Sequence, residues 1–187
     1  MEFLDTTLKD AKLIIPFVSH DNRGAFIKDY HYSTFKENGI DFEIKEEMCT
    51  YSKKGVLRGM HIQLGKPQAK LIRCAHGEVY DYIVDVRKDS PTYLKGEGFI
   101  LSEKNNNCLF VPKGFLHGYL VKEDSIVIYK CDEEFYKQGD ASVKWNDPIL
   151  NIDWQSQWDG ELIPILSEKD GNNISYEEFM NLKGSVI

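Results

Sequence analysis

A chain of 187 residues, 42% of them apolar and with a formal net charge of −7, has the size of one domain. Such a domain hides roughly 70% of the surface its unfolded chain exposes and needs no disulfide support. The acidic balance excludes a general nucleic-acid or membrane-surface binder, since either needs a basic excess to meet phosphates, and leaves room only for local positive charge around a small phosphate ligand.

Cys49, Cys74, Cys108 and Cys131 are too scattered for a zinc knuckle or a redox dithiol, so they read as reduced, partly buried thiols of a cytoplasmic protein. The start at Met1-Glu2-Phe3-Leu4-Asp5 has no basic region before an apolar run. No later stretch approaches the ~18 apolar residues that a membrane helix needs. The expectation is one domain over 1–187, neither exported nor membrane-spanning.

Along the chain, Leu13-Ile14-Ile15 and Ala25-Phe26-Ile27 read as short strands on either side of a turn at His20-Asp21-Asn22-Arg23-Gly24. Ser33 to Gly39 offers a cap and a terminator for one short helix. From there the signal is almost all strand. Val79 to Val86 alternates, with Val79, Asp81, Ile83 and Asp85 on one face and Tyr80, Tyr82, Val84 and Val86 on the other. Phe99–Leu101, Cys108–Val111, Gly118–Val121 and Ile126–Tyr129 follow, each bounded by Gly, Asn, Asp or Ser. Many short strands at near-regular spacing predict an all-β sandwich or barrel. Asn105-Asn106-Asn107 reads as a polar turn. Beyond Trp145 the pattern is irregular until Ser175 to Leu182, where the apolar spacing predicts a closing helix behind a Ser cap.

Chemistry concentrates in Gly55-Val56-Leu57-Arg58-Gly59-Met60-His61-Ile62-Gln63 and in Gln68-Ala69-Lys70-Leu71-Ile72-Arg73. Strand alternation sends His61 and Gln63 to one face and Met60 and Ile62 to the other, so the polar pair can line a cavity while the apolar pair packs. A histidine and a lysine aimed into one cavity can move protons. An imidazole is the natural base at neutral pH, and Lys70 is a candidate cation. Tyr129 lies in an apolar strand with Val127 and Cys131 on its face, so its hydroxyl needs a partner if buried. By itself Asp170 reads as a surface-loop acid, and Asp81 is a candidate partner for His61 or Lys70.

Leu57-Arg58-Gly59-Met60-His61-Ile62-Gln63, Gln68-Ala69-Lys70-Leu71-Ile72-Arg73, Gly77-Glu78-Val79-Tyr80-Asp81, Val111-Pro112-Lys113-Gly114-Phe115-Leu116-His117-Gly118, Tyr129-Lys130-Cys131, Trp145-Asn146-Asp147-Pro148 and Leu166-Ser167-Glu168-Lys169-Asp170 resemble, in order and spacing, the motifs of the dTDP-4-dehydrorhamnose 3,5-epimerases. The likeness begins near Asn22-Arg23-Gly24 and covers nearly the whole chain. It implies a cupin-type jelly roll with short peripheral helices, usually a homodimer, that inverts carbon 3, carbon 5 or both of a nucleotide-diphosphate-linked 4-keto-6-deoxy sugar. It implies His61 as base, Asp170 as the acid that orients it, Lys70 beside the ketone oxygen and Tyr129 as proton donor on the opposite face of the sugar. Arg23, Arg58 and His117 would contact the diphosphate, Arg23 reaching across to a neighbouring subunit. Gln63, Phe26 and Phe135 complete the substrate contacts it implies.

Some positions depart from the pattern. Glu46-Glu47-Met48 stands where thymidine-specific members have Gln-x-Asn, Lys28 replaces a Glu, and a tyrosine pair aligns to Glu134 and Phe135, or to Phe135-Tyr136 with a slip of one residue. The nucleobase half is altered while the sugar half is kept, so a nucleotide other than thymidine diphosphate, or a modified sugar, is expected. Metal cupins usually present two His separated by one residue, whereas His61 is followed by Ile62-Gln63, and the strand positions of His76 and His117 give no reason to converge on it. No metal and no cofactor are expected. The alternatives are inversion at carbon 3 alone, a 3,4-ketoisomerase, a catalytically silent sugar-nucleotide-binding cupin and, most remotely, a metal dioxygenase.

Overall fold

Alternating burial along the strand segments is what drives two sheets together. In the computed structural model, which describes residues 1–182, the strands are β1 (Glu2–Asp5), β2 (Lys12–Ile15), β3 (Phe17–Asp21), β4 (Gly24–Lys28), β5 (Glu46–Ser52), β6 (Leu57–Gln63), β7 (Lys70–His76), β8 (Glu78–Asp85), β9 (Gly96–Ser102), β10 (Cys108–Val111), β11 (Phe115–Val121), β12 (Ser125–Cys131) and β13 (Asp140–Ser142). Short helices α1 (Tyr32–Glu37), α2 (Glu168–Gly171) and α3 (Tyr176–Met180) lie at the periphery. One sheet has the order β1-β2-β10-β7-β12-β5 and the other β13-β6-β11-β8-β9, while β3 and β4 form a separate hairpin. The named strands pair antiparallel, and the result is the expected cupin-type sandwich. Residues 183–187, the end of the single domain expected over 1–187, lie outside the described residues.

Burial is layered. Between the sheets pack Ile72, Cys74, Val79, Ile83, Leu109, Val111, Val121 and Val127. A second cluster lies on the outer face of the five-stranded sheet, where Leu57, Met60, Ile62, Val84, Leu116 and Leu120 meet Val143, Trp154, Tyr176 and Phe179. A third covers the other sheet, with Phe35, Ile40 and Phe42 against Leu71, Cys108 and Phe110. All seven residues of β11 are buried because both of its faces are covered. A strand covered on both sides loses the alternation of a half-exposed one.

The alternation predicted for Val79 to Val86 holds. Val79 and Ile83 enter the inter-sheet layer, and Tyr80, Tyr82, Val84 and Val86 the outer one. The closing helix is α3, and Ser175 caps it reciprocally with Glu178, an arrangement worth about 1 kcal/mol. The turn expected at His20 to Gly24 is tighter than predicted. His20 and Asp21 belong to β3, which pairs with β4 as far as Asp21 and Gly24, so only Asn22-Arg23 turn. β3 escapes sequence reading because most of its residues are exposed and show no apolar periodicity. Cys49 is exposed and Cys74, Cys108 and Cys131 are buried, all four as free thiols. Among the described residues, no helix is long and apolar enough to cross a membrane.

Candidate active site

A cavity of about 320 Å³ opens between the sheets, lined by residues that include Arg58, His61, Lys70, His117, Tyr129 and Phe135. Wider hollows, such as one of about 600 Å³ bordering α2, lack its convergent set of titratable groups, and chemistry rather than size singles out a site. In a chain of net charge −7, the cavity wall carries, among the described residues, Arg58, Lys70 and Lys169 against the single carboxylate of Asp140.

Arg58 and His61 are three residues apart, so a regular strand would send them to opposite faces. The register of β6 on β11 slips by one residue between the pairs His117↔His61 and Tyr119↔Arg58, which turns both side chains into the cavity. Glycine permits the slip. Gly59 has φ +134°, and a Cβ on it would lie 2.6 Å from Gly118 Cα, while one on Gly118 would lie 2.7 Å from the Arg58 carbonyl oxygen. Arg58 Nε is held by Ser52 Oγ at 3.1 Å.

His61 Nε2 meets Asp170 Oδ1 at 2.5 Å. Asp170 is 4% exposed, not the surface-loop acid that the bare sequence suggests. Ser167 caps α2, its Oγ accepting from the Asp170 N–H at 3.0 Å and donating to Asp170 Oδ2 at 2.9 Å. The Ser-x-x-Asp spacing was the available signal for this cap. Burial pushes the Asp170 carboxyl up, but hydrogen bonds from His61, Ser167 and Asn173 outweigh it and hold the group below the ordinary carboxylate range. It is therefore ionised and able to steady an imidazolium.

Asp81 is not the partner of His61. It is fully buried on β8 and meets His117 Nε2 at 2.8 Å through Oδ2, because Asp81 and His117 lie on the neighbouring strands β8 and β11. Burial raises Asp81 and lowers His117, both toward their uncharged forms. His117 itself converges with His61, contrary to expectation, since the two are register partners across β6 and β11. Antiparallel pairing joins them over a sequence distance that strand position alone does not reveal. His76 lies elsewhere, paired with Glu103 at 2.8 Å.

The opposite wall comes from the other sheet. Lys70 on β7 has its pKa lowered by burial. Tyr129 on β12 is raised well above an ordinary phenol by burial and by the neighbouring Tyr119. The Tyr129 ring stands 6.1 Å from His117, nearly perpendicular, and 6.3 Å from Tyr119, whose hydroxyl is 2.8 Å from Thr50 Oγ1.

Gln63 lines the cavity with its amide already committed. Its Nε2 donates to the Lys66 and Glu134 carbonyls at 2.8 and 3.0 Å, and its Oε1 accepts from the Tyr136 N–H at 2.8 Å. Glu46 accepts from the Phe135 N–H at 2.7 Å. The loop that carries half-exposed Phe135 to the cavity mouth is thus strapped on both sides.

Two expected contacts lie apart from this cavity. Arg23 and Phe26 are exposed on the β3–β4 hairpin, and Arg23 pairs with Asp21 at 2.7 Å. Sequence reading missed Thr50, Tyr119, Asp140 and Lys169 in the wall and Asn173 behind it. Asp140 and Lys169 pair at 2.5 Å from distant parts of the chain, and no local pattern joins them. Among the described residues, no group of three or more His, Cys, Asp and Glu side chains is arranged to hold a metal ion.

Residues 5–178 match the family model described as dTDP-4-dehydrorhamnose 3,5-epimerase. A protein of that name from Methanothermobacter thermautotrophicus is 40% identical over 171 residues, covering 91% of each chain. The crystal structure of dTDP-4-dehydrorhamnose 3,5-epimerase from Elizabethkingia anophelis superposes with a TM-score of 0.88 at 40% identity, covering 95% of this chain and 97% of that one. A dTDP-6-deoxy-D-glucose-3,5-epimerase from Legionella pneumophila, solved in complex with dTDP-4-keto-L-rhamnose, superposes with a TM-score of 0.88 at 34% identity, covering 97% and 94%.

Proposed function

The chain belongs to the dTDP-4-dehydrorhamnose 3,5-epimerase family, an isomerase family, and from that premise we propose that its cavity epimerises a nucleotide-diphosphate-linked 4-keto-6-deoxy sugar. The observation that carries this reading is the placement of His61 and Tyr129 on facing sheets of one cavity, with Lys70 on the same wall as Tyr129. A base and an acid on opposite sides of a planar enolate are what inversion requires.

His61 takes the proton from the carbon beside the ketone, and ionised Asp170 offsets the charge that the imidazole acquires. Lys70 meets the enolate oxygen. Burial makes its ammonium costly in the empty site, so the cation gains most when the oxyanion forms. Tyr129, raised well above an ordinary phenol, enters each turnover protonated and delivers its hydrogen to the other face. His61 ends with one proton more and Tyr129 with one fewer, and exchange with solvent restores both. Arg58 and His117 serve the diphosphate, as a planar fork of donors and a further donor.

The working unit in this reading is a cytoplasmic homodimer in which the exposed β3–β4 hairpin carries Arg23 to the partner's cavity. Phe135 and Met48 would flank the nucleobase. The relatives' names specify dTDP, and the departures at Glu46, Glu47, Met48 and Lys28 are the reason to assay UDP-, GDP- and CDP-linked analogues beside it.

The test is incubation with dTDP-4-keto-6-deoxyglucose in deuterated water. Two labelled carbons identify a double epimerase and one a single epimerase. His61→Ala should abolish exchange while nucleotide-sugar binding persists, which also separates an enzyme from a silent binding protein. Undiminished exchange in that variant removes His61 as the base.

A further inference from the structure

Behind the carboxylate that His61 touches lies an amide with every hydrogen-bonding group engaged. Asn173 is 6% exposed. Its Nδ2 faces the Gly59 carbonyl at 3.1 Å, the Val143 carbonyl at 3.5 Å and Asp170 Oδ1 at 3.4 Å. Its Oδ1 accepts from Ser142 Oγ at 2.6 Å. Acceptors alone on one side and a hydroxyl on the other leave one orientation for the amide.

Two of these partners belong to the proposed chemistry. Asp170 Oδ1 is the same oxygen that meets His61 Nε2, and Gly59 lies in the register slip that aims Arg58 and His61 into the cavity. We infer that Asn173 is a positioning residue for the reaction: it shares the Asp170 oxygen with His61 and ties that oxygen to the backbone beneath the base, so setting how strongly the imidazole is held. This rests on the reading of His61 as the base.

A donor shared on a carboxylate oxygen draws charge from it and weakens its hold on an imidazolium. Without the Asn173 N–H, Asp170 binds the protonated ring more firmly, and the base is freed only at higher pH. Asn173→Asp adds a second negative charge beside Asp170 and pushes the same way. A purely structural amide would change the melting temperature and leave the pH profile where it was.

The experiment is the pH dependence of kcat for deuterium exchange into dTDP-4-keto-6-deoxyglucose in wild type, Asn173→Ala, Asn173→Asp, Ser142→Ala and His61→Ala. The acid limb is expected to move up by about one to two units in Asn173→Ala, from the net worth of one hydrogen bond to a charged group. Asn173→Asp should move it further and Ser142→Ala less, with KM little changed. Ser142→Ala keeps the test open should the Asn173 variants fail to fold. An inactive His61→Ala together with acid limbs superimposable on wild type in the folded variants overturns the inference alone. Retained exchange in His61→Ala overturns the base assignment and the inference with it.

Discussion

His61 and His117 face each other in register on adjacent strands, yet each is held by its own aspartate, Asp170 for the first and Asp81 for the second. Burial favours the uncharged forms at Asp81 and His117, whereas hydrogen bonds keep Asp170 ionised. Two histidines in one cavity are thereby prepared for different work.

Asp170→Asn removes the charge that steadies the imidazolium while preserving shape. kcat should fall about 10²- to 10⁴-fold with KM little changed, as measured by steady-state kinetics. The Asp170 carboxyl is held low, so its contribution to stability is present above the ordinary carboxylate range and is lost as pH falls through its lower folded value. The melting temperatures of wild type and Asp170→Asn should therefore differ at neutral pH and converge in acid.

Asp81 has the opposite sign. Its folded pKa is raised, so its contribution is fully present below the unfolded carboxyl value and is lost as pH rises through the folded one. Asp81→Asn should gain in melting temperature relative to wild type as pH is raised from acid to neutral. A variant whose melting temperature falls relative to wild type over that range would contradict the assignment.

Lys70→Met should lower kcat about 10²- to 10³-fold through loss of enolate stabilisation. With the Lys70 pKa lowered by burial, the alkaline limb of kcat should fall below the range of an exposed lysine. Lys70→Arg, which stays charged, should keep part of the activity and move that limb upward.

Gly59→Ala forces a Cβ against Gly118 Cα at a φ that other residues seldom adopt. The expected cost is about 2 to 4 kcal/mol, read by urea unfolding. Gly24→Ala is the control, since its φ is also positive but nothing lies within 4 Å of a Cβ there. It should cost less.

Arg23→Ala and His61→Ala should each be nearly inactive alone. If the hairpin serves the partner's cavity, subunits unfolded and refolded together should recover activity, because one cavity of a mixed dimer then holds both intact residues. Absence of recovery despite confirmed mixed dimers would place Arg23 in the service of its own chain or of none.

The sandwich was legible because its strands are short, bounded by turn residues and, as in β8, alternating. The fully buried β11 and the exposed β3 were harder to read, the first for being covered on both faces and the second for being largely exposed on both. Of the candidate site, His61, Lys70 and Tyr129 stood out as polar groups in apolar strands, and the structure gathers them in one cavity. The partnership of His117 with Asp81 and the tether at Asn173 were hidden, since both depend on strand register and on loops that meet only after folding.

The thiols have a practical consequence. Burial raises Cys74 and Cys131 to about 11 and Cys108 to about 12, whereas Cys49 stands exposed on β5, between the cavity-lining Met48 and Thr50. A maleimide dye added near neutrality should therefore tag a single address. That address lies on the strand that supplies Met48 and Thr50 to the cavity wall, so a probe can be placed on the back of that strand without any engineered cysteine.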